Sequence, residues 1–253
     1  MRIEKFFGNL YRPEIQPALT LNQRWQRQAL SIFLVGSLLL LAACSAGTSP
    51  TSSPSPTSRA SAATTTLPAG TVLYQADWSR GFAGWQVTAG WKAMHGYLQS
   101  DAGRNISITA PYRPVVPNYA VELRLQVVRV PEDGGFFTLS ADPMPGRDGY
   151  DAAVSNLLKP GHTTGGLAPE LALMINPLAS MDVGSVQVKD YDPGADWRTY
   201  RVEVRQWGAT FLVNGARNSQ AVSTKTDYLS NGPIHLTCGG VILRVSNFRI
   251  IAL

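Results

Sequence analysis

Residues 71–253 read as an all-β domain, an antiparallel two-sheet sandwich of the jelly-roll kind. Two observations predict it. Short β-rich segments follow one another at close intervals, punctuated by Gly, Pro and Asp. No segment sustains a 3.6-residue apolar period over a helical length. A span of about 180 residues also suffices to bury one core without covalent staples.

The chain before this domain divides into two parts. Residues 1–28 carry Arg2, Lys5, Arg12, Arg24 and Arg27 against Glu4 and Glu14, a basic flank. The run 29–43 is then uncharged. As a helix it reaches roughly 22 Å, short of a hydrocarbon core of about 30 Å, so it suits a secretory signal better than a spanning helix. It ends in Leu41-Ala-Ala-Cys44, which resembles a bacterial lipobox. That resemblance implies a lipid on the Cys44 thiol, cleavage before it, and a mature protein held on the extracytoplasmic side of the cell membrane by its lipid. An ordinary signal peptide, or an uncleaved anchor, is the competing reading. Residues 44–70 are mostly Ser, Thr, Pro and Ala with Arg59 as their single charge, too poor in apolar surface to offset ordering entropy. They read as a tether, and 71–253 as the folded domain.

Removing residues 1–43 takes five of the 22 basic and two of the 17 acidic residues, so the net charge falls from +5 to +2. Nucleic acid is therefore not an expected partner. Only Cys44 and Cys238 are cysteines; with Cys44 acylated, Cys238 has no partner and the domain no disulfide.

The first strand is expected at 71–76, followed by a turn-rich stretch to Trp85. Short strands are expected at 85–87, 91–94, 97–100 and 105–110. The clearest lies at Tyr119–Arg129, where Tyr119, Val121, Leu123, Leu125 and Val127 share one parity and Glu122, Arg124 and Gln126 the other. Apolar runs at 135–141 and 171–176 fit inner strands. Residues 197–215 read as a hairpin with Gly208 turning the chain and Asn214-Gly215 ending it. A closing hairpin pairs 234–238 with 241–251 around Gly239-Gly240. Leu243 and Val245 differ in parity from Phe248 and Ile250, so a one-residue bulge at Ser246-Asn247 is needed to bury all four.

Five segments then occur in a familiar order: Ala76-Asp-Trp-Ser-Arg-Gly-Phe-Ala-Gly-Trp85, Tyr119-Ala-Val-Glu-Leu-Arg, Trp197-Arg-Thr-Tyr-Arg-Val-Glu-Val, Phe211-Leu-Val-Asn-Gly215 and Val245-Ser-Asn-Phe-Arg-Ile250. Together they resemble the concanavalin A-like lectin/glucanase superfamily, particularly its laminin-G-like and 3-keto-disaccharide-hydrolase-like domains. The resemblance implies two curved antiparallel sheets that take carbohydrate or protein ligands on the concave face or the loop rim. Its motifs are strand ends and turns, which speak for fold rather than activity.

The chemistry is thinner. Laminarinase-type members carry Glu-x-Asp-x-x-Glu on one strand, and no such run occurs here. Glu122 and Glu203 are the weak catalytic candidates; interleaved with arginines, they read first as ion-pair partners on a solvated face. Binding is therefore expected rather than catalysis, with a glycoside-processing hydrolase and a structural or protein-interaction module as the alternatives. His95, His162 and His235 lie far apart without ligand spacing and read as turn or strand residues. Asp190, Asp192 and Asp196, and the stretch from Asp142 to Asp151, cluster oxygens in turns, which makes calcium a weak candidate cofactor. Trp78, Trp85, Trp91, Tyr97 and Tyr112 lie in turn-rich sequence and are candidates to stack a sugar, against the plainer reading that they close the ends of the core. Asn105-Ile-Ser107 matches a glycosylation sequon by chance. Cys238 shares parity with Ile234 and Leu236 and is expected buried and inert.

Overall fold

The computed structural model describes residues 67–131, 134–157, 169–176 and 187–253. Cys44, His162 and nearly all of the leader and tether lie outside the described residues. The described chain forms fifteen strands. First come β1 (Val72–Gln75), β2 (Gln86–Val87), β3 (Trp91–Met94), β4 (Tyr97–Ser100) and β5 (Ile106–Thr109). The middle of the domain supplies β6 (Tyr119–Arg129), β7 (Gly135–Ala141), β8 (Gly149–Leu157), β9 (Glu170–Asn176) and β10 (Gln187–Asp190). Last are β11 (Arg198–Arg205), β12 (Gly208–Val213), β13 (Ala216–Val222), β14 (Ile234–Gly239) and β15 (Ile242–Ala252). Two antiparallel sheets result, one ordered β13-β12-β11-β6-β15-β4-β3 with β1 also on β15, the other β10-β9-β8-β7-β14-β5-β2.

Parity decides which residues meet between the sheets. On β6, Tyr119, Val121, Leu123, Leu125 and Val127 are all buried, as their alternation requires. Opposite them stand Leu139 of β7, Tyr150, Ala152 and Val154 of β8, and Ile234, Leu236 and Cys238 of β14, which belong to the same core. Burial pushes the Cys238 thiol up to about 12, so it is an unreactive core group. The bulge falls where parity demanded it: Val245 pairs with Leu125 and Asn247 with Arg124, leaving Ser246 extra. Leu243, Val245, Phe248 and Ile250 are consequently all buried.

Three strands were not anticipated, one turn is displaced, and the expected closing hairpin does not form. β14 lies in the seven-stranded sheet and β15 in the eight-stranded one, so Gly239-Gly240 carries the chain from one sheet to the other instead of pairing the two strands. β13 follows the Asn214-Gly215 turn, both of whose residues have positive φ, so the expected hairpin is a three-stranded meander. Its sequence, Ala-Arg-Asn-Ser-Gln-Ala-Val, has too few apolar residues to announce a strand. β8 begins inside the aspartate-rich stretch read as a turn, and β10 ends at Asp190. Between β11 and β12 the turn is Gln206-Trp207, with Gln206 at φ 51°; Gly208 already pairs with Arg205.

Candidate functional site

The outward face of the seven-stranded sheet gathers side chains that are distant in sequence. The ladder pairs Thr109 with His235, His235 with Ser140, Ser140 with Asp151, and Asp151 with Met174. Each of these residues neighbours buried core residues along its own strand, so all five point away from the core. Asp142, just beyond β7, completes the cluster. His235 Nε2 lies 2.8 Å from Asp142 Oδ2, and His235 Nδ1 lies 2.8 Å from Thr109 Oγ1. An ionised carboxylate only accepts, so Nε2 donates to Asp142; in the neutral ring Nδ1 then accepts from the Thr109 hydroxyl.

Asp151 sits in this row between Ser140 and Met174. Burial first, and the Asp142 charge second, push its carboxyl up to about 6, while His235 pulls the other way. A protonatable carboxyl on β8 thus lies near a second carboxylate at the end of β7, which His235 of β14 bonds from the far side. Local backbone fixes the geometry: a Cβ on Gly149 would fall 2.3 Å from the Ala141 carbonyl oxygen, so only glycine lets β8 close on the end of β7.

The same face continues along β7 through Thr138 to Phe136. A Cβ on Gly239 would meet the Phe136 ring at 2.6 Å, so the ring lies directly against that glycine. Ser107, Thr237 and Thr138 occupy the row between the ring and the histidine. Six residues of extended chain from Phe136 to Asp142 span about 20 Å. The strip therefore has an aromatic at one end, hydroxyls in the middle and a titratable cluster at the other.

The residues singled out from sequence are placed otherwise. Trp78 and Trp91 are 4% and 6% exposed and lie in the core, so neither offers a face to a ligand. Trp85 is half-buried, its ring 5.1 Å from Trp78 and 5.0 Å from Phe248, and Tyr112 stacks on Tyr74 at 5.9 Å. These four close one end of the core, because a sandwich end needs large flat groups to exclude water. Tyr97 lies on the other sheet beneath the Arg244 guanidinium, 5.1 Å away.

Glu122 and Glu203 lie on the outward face of the eight-stranded sheet, as ion-pair partners. Arg201 bonds Glu122 at 3.0 Å and Glu203 at 2.9 Å, and Arg249 also holds Glu122. The face is less solvated than expected, the Glu122 side chain being only 13% exposed. Burial raises its pKa, but the two arginines outweigh burial and leave it below the ordinary value. It is a structural carboxylate whose arginines favour its ionised form, which makes it a poor general acid.

Asp190, Asp192 and Asp196 are exposed, and Asp192 accepts from the Gly194 N–H at 2.8 Å, an Asx turn. Asp148 is set apart, buried against the Ser223 hydroxyl, while Asp142 and Asp151 stay close enough to act on each other electrostatically. Among the described residues no group of three or more His, Cys, Asp or Glu is placed to hold a metal ion. His95 is exposed beside a turn. His235 is the histidine whose reading changes: a strand residue, but with a carboxylate partner 93 positions away. Its outward parity between Ile234 and Leu236 was the available signal.

No protein-family model matches the chain, and no curated protein matches it. Solved structures do. A Bacillus subtilis protein described as having a galectin-like fold superposes with a TM-score of 0.56 at 12% identity, over 73% of this chain and 97% of its own. A Crh5 transglycosylase in complex with NAG gives 0.51 at 14%, over 74% and 88%. A glycosyl hydrolase family protein from Mycobacterium fortuitum gives 0.50 at 11%, over 71% and 99%. At these identities the likeness is one of fold: this is a lectin-like antiparallel β-sandwich.

Proposed function

We propose that the domain binds carbohydrate along the outward strip of its seven-stranded sheet, and that a lipid on Cys44 holds it at the outer side of a membrane. The observation that carries the first part is the row Thr109–His235–Ser140–Asp151 with Asp142 beside it, bonded to His235. It offers donors and acceptors on a rigid sheet, which is what recognition of sugar hydroxyls requires. Phe136 adds a flat apolar surface further along. The fold supports the reading, since similar sandwiches include one solved with NAG and one described as a glycosyl hydrolase. The membrane part rests on the leader chemistry and the residues before Cys44.

A second reading has its own observation. A carboxyl raised to about 6 beside another carboxylate is the pairing that glycoside hydrolysis uses, one group as acid and one as base or nucleophile. In that reading Asp151 is the proton donor and Asp142, oriented by His235, the partner.

One experiment tests both. The full chain is incubated on a glycan array, and retained glycans are then assayed in solution for new reducing ends. Binding lost in His235→Ala and in Asp142→Asn supports the strip; equal binding by both variants refutes it. Reducing ends made by the native chain and absent with Asp151→Asn favour hydrolysis.

A further inference from the structure

A second surface lies at one end of the sandwich, on the eight-stranded sheet and the loop that follows β13. The turn Gln206-Trp207 leaves the Trp207 indole 48% exposed, although hairpin tips usually carry small polar residues. Beside it is an open cavity of about 380 Å³ lined by Trp207, Ser223, Thr224, Lys225, Thr226 and Asp227. One wall is therefore an aromatic face and the others carry hydroxyls, a carboxylate and an ammonium.

The cavity is built rather than incidental. Ser223 N–H donates to the Trp207 carbonyl at 2.8 Å, and Leu229 N–H to the Gln206 carbonyl at 2.7 Å, which fastens the loop to the turn. The Ser223 hydroxyl donates to Asp148 Oδ2 at 2.6 Å and accepts from the Lys225 and Thr226 backbone N–H groups, each at 3.1 Å. Asp148 is buried, so the loop is pinned to the sandwich by a charge-assisted bond in a low-dielectric setting. A pinned loop and turn backbone lose little freedom when a ligand arrives.

We infer that this pocket is a distinct carbohydrate subsite, taking one pyranose whose hydroxyls are equatorial. Such a ring presents an apolar C–H face, which fits the indole, and directs its hydroxyls sideways, where Thr224 and Asp227 can pair them. The inference does not rest on the sheet-face strip, which uses none of these residues. A protein partner fits less well, because five of the six lining residues are polar.

The test uses the detergent-solubilised full chain with its six tryptophans labelled at the indole nitrogen. The Trp207 resonance is assigned from its disappearance in Trp207→Phe. Cellohexaose, chitohexaose and laminarihexaose are the probes. The inference expects at least one of them to shift the Trp207 resonance saturably, and Trp207→Ala to weaken that binding at least tenfold. It expects the shift to persist in His235→Ala; loss there means that the resonance reports the sheet face, and overturns the inference. No shift with any of the three, or unchanged affinity in Trp207→Ala, also overturns it. Thr224→Val provides a second variant should Trp207→Ala fail to fold, with weaker binding expected and equal binding contradicting the assignment.

Discussion

Asp151→Asn isolates one buried proton. In the folded chain the Asp151 carboxyl titrates near 6 instead of 3.8, so the native state holds a proton that the unfolded chain has already released. Its pKa is raised on folding, so the associated stability is fully present below 3.8 and is lost as the pH rises through about 6. The difference between the two values, at 1.36 kcal/mol per pH unit, comes to about 3 kcal/mol. Asparagine keeps the shape and never ionises, so the variant lacks this loss. Urea midpoints at pH 4, 5, 6 and 7 for both proteins separate the effect from titrating groups remote from Asp151, which cancel in the difference; the coupled groups Asp142 and His235 belong to the effect measured. The variant should gain on the native chain by up to about 3 kcal/mol between pH 4 and 7, most of it below pH 6. Parallel stability curves would refute the argument that burial and the Asp142 charge oppose ionisation here. A gain that appeared only above pH 7 would refute it equally.

Other perturbations probe other parts of the molecule. Leu123→Ala should cost about 2–5 kcal/mol by urea denaturation, because the side chain is only 1% exposed between the sheets. Glu122→Gln should cost about 1–3 kcal/mol, more than an exposed ion pair, since it leaves Arg201 and Arg249 facing each other with one acceptor between them; a loss below 0.5 kcal/mol by the same assay would show the pair to be solvent-screened. That cost should also shrink as acid protonates the native Glu122 below its ordinary pKa. Cys44→Ala should abolish incorporation of labelled fatty acid and move the protein from the membrane to the soluble fraction, and equal labelling of the variant would refute lipid attachment.

The fold was legible wherever parity was strict. Tyr119–Arg129 reads correctly from its alternation alone, and the Ser246 bulge follows from the change of parity between Val245 and Phe248. β13 was hidden because an edge strand needs few apolar residues, and β8 because Asp151 looks like a turn residue until its neighbours Tyr150 and Ala152 are seen to be buried. The candidate site was less legible for a similar reason. Thr109 and Asp142 are brought to His235 across 126 and 93 positions, which no local spacing encodes. The aromatic segment 78–97 was conspicuous, yet its tryptophans serve the core; Trp207, alone in a charged hairpin, drew no attention.

β15 has a consequence for how the domain comes into being. It lies in the middle of the eight-stranded sheet, bonded to β6 on one side and to β4 and β1 on the other, yet it is the last strand in the chain. Without residues 242–252 the sheet would be divided between β6 and β4, and Leu123 and Leu125 would keep only β11 as a ladder neighbour. Closure joins partners more than a hundred residues apart, which places folding among the slow, non-local topologies. Truncation within β15 should therefore strip β6 of one of its two neighbours and detach β4 and β1 from the sheet, a far larger loss than trimming the edge strand β13.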